Sequence, residues 1–144
     1  MVKTIEVMNG FLMQKQNFIA GEDFFIESFS PENSYGVVFE DDGDTAYFYA
    51  VEKNPSTKEQ KILDALHIYE KENINNDEEK KQSTLLIIWS KDWMKCALVI
   101  DNFCNAIFDF EKQGGYNINE FPPPNDFWTK QDRKLTNEII NQLF

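Results

Sequence analysis

Between Ser34 and Val51 the sequence leaves the backbone few options. Two runs of β-forming residues, 34–40 and 45–51, flank Asp41-Asp42-Gly43-Asp44. An Asp-Gly pair between such runs signals a hairpin, because a type I′ turn needs positive φ at both central residues. With Asp42-Gly43 at the turn, Asp41 sits opposite Asp44 and Phe39 opposite Ala46. One face of the ribbon then carries Tyr35, Val37, Phe39, Ala46, Phe48 and Ala50 and belongs to a core. The other carries Gly36, Val38, Glu40, Thr45, Tyr47 and Tyr49, a mixed set for a face in contact with water.

Further strands are expected at 24–29, 84–89, 95–100 and 103–110, with weaker candidates at 3–8 and 11–19. The runs from 84 onwards are apolar on both faces, the pattern of central strands covered on both sides, and Asp101-Asn102 turns one into the next. Ser56-Thr57-Lys58-Glu59 has capping-box spacing, after which Ile62, Leu63, Leu66 and Tyr69 share one helical face. The same octet, 62–69, also has the length of a buried strand, and both readings stay open. Three prolines at 122–124 precede a C-terminal helix marked by Leu135, Ile139, Ile140 and Leu143. The polar stretch 70–81 reads as a solvated loop or a frayed helix end, and Gly114-Gly115 reads as a turn. The expected fold class is α+β: a mostly antiparallel sheet built from hairpins, packed against one or two helices including the C-terminal one. A length of 144 residues fits one domain, 1–144.

Charge excludes two classes of partner. With 25 acids against 14 bases the net charge is −11, the wrong sign for nucleic acid or an anionic membrane. The acids are concentrated: from Gln16 to Glu52 there are nine and no Lys or Arg. In the hairpin, Asp41, Asp42 and Asp44 would stand at the tip, with Glu40, Tyr47 and Tyr49 below. Acids for steering beside Tyr anchors suit the capture of a basic protein, in the manner of an immunity or antitoxin protein. The plain alternative is that the acids maintain solubility and that Asp favours turns. The N-terminal residues have an acid where a signal peptide is apolar, and no run reaches the ~18 apolar residues of a membrane span, so a cytoplasmic protein is expected.

Few residues offer chemistry. His67 is the sole imidazole, and Asp64 precedes it by three positions, sharing its face if the segment is helical. An Asp64/His67 cleft is therefore the alternative reading, as a small-molecule binder or an enzyme. No cofactor or metal is expected. Glu40-Asp-Asp-Gly-Asp44 lacks the twelve-residue ligand spread of an EF-hand. Cys96 and Cys104 lack CxxC spacing and face Ile107 and Val99 in the expected hairpin, so they act as small buried hydrophobes. Gly114-Gly115 has no phosphate-binding context, and Arg133 is the lone arginine. Phe121-Pro-Pro-Pro124 reads as a rigid lead-in to the last helix.

The order Val38-Phe-Glu-Asp-Asp-Gly, Ala46-Tyr-Phe-Tyr-Ala50, Ile62 to Tyr69, Ile107-Phe-Asp-Phe110 and Phe121-Pro-Pro-Pro124 resembles a bacterial family, domain of unknown function 2251. The resemblance covers roughly residues 22–144. It implies a small stand-alone bacterial protein. The family has no assigned activity, so no site residue is carried over from it.

Overall fold

Hairpin follows hairpin along this chain, and the alternation of apolar side chains sorts the strands into two facing sheets. The computed structural model describes residues 8–74, 81–125 and 127–144; the weak strand candidate at 3–8 lies almost wholly outside them, as do residues 75–80 of the polar stretch. After β1 (Gly10–Phe18) come β2 (Phe24–Phe29), β3 (Tyr35–Asp41), β4 (Thr45–Lys53) and β5 (Gln60–Glu70). These are followed by β6 (Ser83–Ser90), β7 (Lys95–Ile100), β8 (Phe103–Asp109), β9 (Gly114–Asn117) and the helix α1 (Asn137–Leu143). Sheet A has the order β1-β6-β7-β8-β9 and sheet B the order β2-β3-β4-β5, all neighbours antiparallel.

The sheets pack face to face. Phe39, Phe48 and Leu66 of sheet B meet Leu85, Ile87, Trp89, Leu98 and Phe108 of sheet A in one core. Phe48 stacks on Phe108 at 5.1 Å between ring centroids. The Trp89 indole is buried there, so its N–H needs an acceptor; it donates to Ser28 Oγ across the core at 3.0 Å. A second cluster lies on the other face of sheet A, where Leu135, Ile140 and Met8 cover Leu86, Ile88, Val99 and Ile107. The expectation that β6, β7 and β8 are covered on both sides is met.

Three expectations need correction and one open choice is decided. The first hairpin forms, but Phe39 pairs with Phe48 and Asp41 with Ala46, a register two residues from the expected one. A two-residue shift keeps every side chain on its face, so the split into core and outer residues stands. The turn is also different. Asp42 accepts from the backbone N–H groups of Asp44 and Thr45, and only Gly43 takes positive φ, at 96°. Second, of the two readings left open for 62–69 the strand is the one that forms. Asn54, not Ser56, organises the preceding turn by accepting from the N–H groups of Ser56 and Thr57. Third, Gly114-Gly115 opens strand β9. A Cβ at Gly115 would lie 2.8 Å from both Asp64 Oδ2 and the Phe108 ring, so the strand can approach only without one. Fourth, α1 is the one α-helix among the described residues, seven residues long. Leu135 lies before its Thr136 N-cap, whose hydroxyl accepts from Ile139 N–H. The chain is richer in β-structure than expected.

Cys96 pairs with Phe108 and points into the inter-sheet core, whereas Cys104, opposite Val99, points into the outer cluster. Burial pushes the Cys96 thiol up and the Cys104 thiol to about 12. Because the thiolate is the reactive form, Ellman's reagent should label neither cysteine in the folded protein and both after denaturation.

Candidate functional site

Strand β5 decides which candidate residues meet. Asp64 pairs with Ala50, and Leu66 with Phe48, on the inner face. Ala65 pairs with Tyr49, and His67 with Tyr47, on the outer face. Asp64 and His67 therefore point to opposite sides of sheet B, and the expected Asp64/His67 cleft does not exist.

Asp64 goes inward to the lone arginine. Arg133 Nη1 and Nη2 each donate to one carboxylate oxygen at 2.8 Å, with both side chains almost wholly buried. Thr129 Oγ1 accepts from Gly115 N–H and donates to Asp64 Oδ2. This cluster ties β5 of sheet B to β9 of sheet A and to the segment leading into α1. It is a buried structural clasp: Asp64, Thr129 and Arg133 are each more than nine-tenths buried. Nothing in the sequence marked Arg133 as the partner of Asp64.

His67 is held at the edge of sheet B. Its backbone N–H donates to Phe121 O and its carbonyl accepts from Asn117 Nδ2. Asn119 Oδ1 accepts from Phe121 N–H and Asn117 Nδ2, which leaves Asn119 Nδ2 to donate to His67 Nδ1. His67 Nε2, on the other side of the ring, is 3.7 Å from Glu70 Oε1, beyond hydrogen-bond distance. The ring meets Tyr47 and Phe121 edge to face. The segment 117–121 thus acts as a clamp that fixes His67, and through it Tyr47.

Asp41 also departs from expectation. Its register places it on the inner face, where it is buried and accepts from Gly21 N–H, Gly43 N–H and the Tyr69 hydroxyl. Burial and the adjacent carboxylate push the Tyr69 hydroxyl well above its ordinary range. Asp41 holds the hairpin onto the loop after β1 and cannot meet a partner. Asp42 and Asp44 remain exposed at the tip.

The outer face of sheet B is the distinctive surface. Across β2, β3, β4 and β5 one row reads Phe25, Glu40, Tyr47, His67, and the next reads Glu27, Val38, Tyr49, Ala65. Tyr47 and Tyr49 stack at 5.9 Å. Burial, with Glu40 and Asp42 nearby, pushes the Tyr49 hydroxyl up and keeps it a neutral donor. Phe25 is 57% exposed, Phe121 51% and Ile62 62%. Among the described residues no helix or strand covers this face, whereas on the outer face of sheet A the C-terminal segment covers β6, β7 and β8. Glu40, Tyr47 and Tyr49 lie together on it as the alternation requires. Phe25 and Glu27 belong there too, and the period of two in 24–29 was the signal for them. Phe121 and Glu70 have no such signal, since one arrives through a loop and the other after a bulge. Among the described residues no group of His, Cys, Asp or Glu is arranged to hold a metal ion, and no helix is long and apolar enough to cross a membrane.

Two antiparallel sheets, one covered over its central strands by the C-terminal segment and one presenting aromatic rings among carboxylates, define an acidic β-sandwich. The chain belongs to the family described as "Uncharacterized protein conserved in bacteria (DUF2251)", whose model matches residues 18–144. It is similar to an uncharacterised protein of Haemophilus influenzae, 36% identical over 110 residues. The matched region is 75% of this chain and 65% of that relative, so the chain spans about two thirds of its length. No solved structure matches.

Proposed function

We propose that this protein is a non-enzymatic binding module of the immunity or antitoxin type, which captures a basic protein on the outer face of sheet B. The observation that carries the reading is one face that holds exposed Phe25 and Phe121 and half-buried Tyr47 and Tyr49 together with exposed Glu27 and Glu40. Large exposed apolar groups on one face mark interaction sites, and Tyr is favoured where an interface anchor needs an apolar body and a polar tip. A net charge of −11 favours a basic partner and raises the rate at which one is found. The burial of Asp64 against Arg133, and its separation from His67, weigh against the Asp64/His67 cleft as the alternative.

The test is affinity capture of the tagged protein from its own cells at low and at high salt. One basic protein retained at low salt and weakened as salt rises is the expected result. That protein should be lost from the Tyr47→Ala/Tyr49→Ala variant. No specific protein at either salt, or a partner indifferent to both tyrosines, would refute the reading.

A further inference from the structure

Glu40 stands directly between two rings. Phe25, Glu40 and Tyr47 occupy opposing positions on three adjacent strands, where cross-strand Cβ atoms are about 4.5–5.5 Å apart. Tyr47 is not free to swing away, since it stacks on Tyr49 and meets the clamped ring of His67. Glu27, one row along and on the next strand, adds a second exposed carboxylate beside Glu40. Among the described residues no basic side chain pairs with Glu27 or Glu40; Lys53, on the same sheet, lies instead over the Phe29 ring at 4.8 Å. Two like charges on neighbouring strands repel each other. A single cation lying between them and flanked by rings would remove that repulsion.

The chemistry of these side chains, two carboxylates beside two aromatic rings, selects among cations. A lysine ammonium is a compact, strongly hydrated point charge that loses much of its hydration in such a place. A guanidinium is planar and weakly hydrated; it stacks on aromatic faces and offers several donors to two carboxylates at once. We infer that Phe25, Glu27, Glu40 and Tyr47 form a socket for an arginine side chain presented by a basic protein partner. The inference rests on the protein-binding reading above and names the chemistry of its central contact. Asp42 and Asp44, out at the tip, contribute long-range attraction and make no part of the socket.

Two acetylated, amidated octapeptides serve as probes, one alternating Arg with Ala and one alternating Lys with Ala. Each is titrated at low salt into the 15N-labelled full chain. The expected result is binding of the arginine peptide about threefold or more tighter than the lysine peptide, as a stacking contribution requires. The shifts should centre on Phe25, Glu27, Glu40, Tyr47 and Tyr49. The Glu27→Gln/Glu40→Gln variant should lose about tenfold in affinity, the size expected for charge-assisted contacts, with the rest of its spectrum unchanged. Phe25→Ala should erase the preference for arginine over lysine while keeping weak binding to both.

Equal affinities, shifts centred on Asp42 and Asp44, undiminished binding by the double variant, or binding of neither peptide would each overturn the socket. The broader reading fails separately. A captured partner that survives Glu27→Gln/Glu40→Gln but not loss of the tyrosines leaves the protein-binding face standing and removes the socket. Arginine-peptide binding without any cellular partner does the reverse.

Discussion

Replacing Arg133 by Met should lower the unfolding free energy by about 3–5 kcal/mol, the usual effect of removing one member of a buried ion pair. Arg133 is buried to its tip, and both Asp64 oxygens receive its Nη groups. Without it, Asp64 keeps only the Thr129 hydroxyl and a backbone N–H of Ala65. A carboxylate buried with so little compensation has to protonate or unfold its surroundings. Since small domains have about 5–15 kcal/mol in total, the variant should lie near the threshold of folding. Arg133→Lys should not restore stability, because one ammonium cannot make two parallel bonds to a carboxylate. The double variant Asp64→Leu/Arg133→Met should be less damaged than the sum of its single changes, which isolates the pair from packing losses. Urea denaturation followed by tryptophan fluorescence reads all of these. A single Arg133→Met variant within about 1 kcal/mol of wild type would mean that the clasp does not hold the two sheets together.

How much of this was legible in the sequence depends on how local the cause is. The face assignment of β3 and β4 follows from alternation alone, and it survives a wrong register because the slip was an even number of residues. The turn itself differs from the Asp-Gly expectation because the Asp42 side chain, by capping Asp44 and Thr45, stabilises a longer loop than Asp-Gly alone demands. Strand β5 imitated a helix for a different reason. Its pairing with β4 skips Leu63 and Ile68, and each skipped residue shifts the alternation by one. Ile62, Leu63, Leu66 and Tyr69 thereby acquire helix-like spacing within an extended strand. Asp64 and Arg133 are 69 positions apart, and no local pattern connects them. Gly115 had meaning only once the Asp64 carboxylate was seen to fill the place of its Cβ. The candidate face was legible for Glu40, Tyr47 and Tyr49 because it needs only the period of two. Phe121 was hidden because a loop brings it there.

Three neighbouring acids of the first hairpin should separate into two kinds of behaviour. Asp42 and Asp44 are exposed at the tip, and Asp42 makes both of its turn bonds through one oxygen. The backbone N–H bonds of Thr45 and Asp44 also hold its carboxyl below the usual range. Reversing charge at the tip, with Asp44→Lys and with Glu40 and both tyrosines untouched, should slow association with the basic partner about tenfold at low salt. The dissociation rate should hardly change, the signature of a steering charge outside the contact. The difference should fade as salt shortens the Debye length to about 8–10 Å. Tyr47→Ala should do the opposite, leaving the association rate near wild type and accelerating dissociation about 30-fold or more, as loss of an interface anchor does. Asp41→Lys should do neither, because the residue never reaches the surface. It accepts three hydrogen bonds inside the fold, so the variant should unfold at lower urea and bind normally in proportion to the folded fraction. Stopped-flow association at two salt concentrations, alongside denaturation curves for the same variants, distinguishes the three. An Asp44→Lys variant that associates at the wild-type rate at low salt would remove the hairpin tip from the path of approach, and with it the electrostatic half of the proposed mechanism.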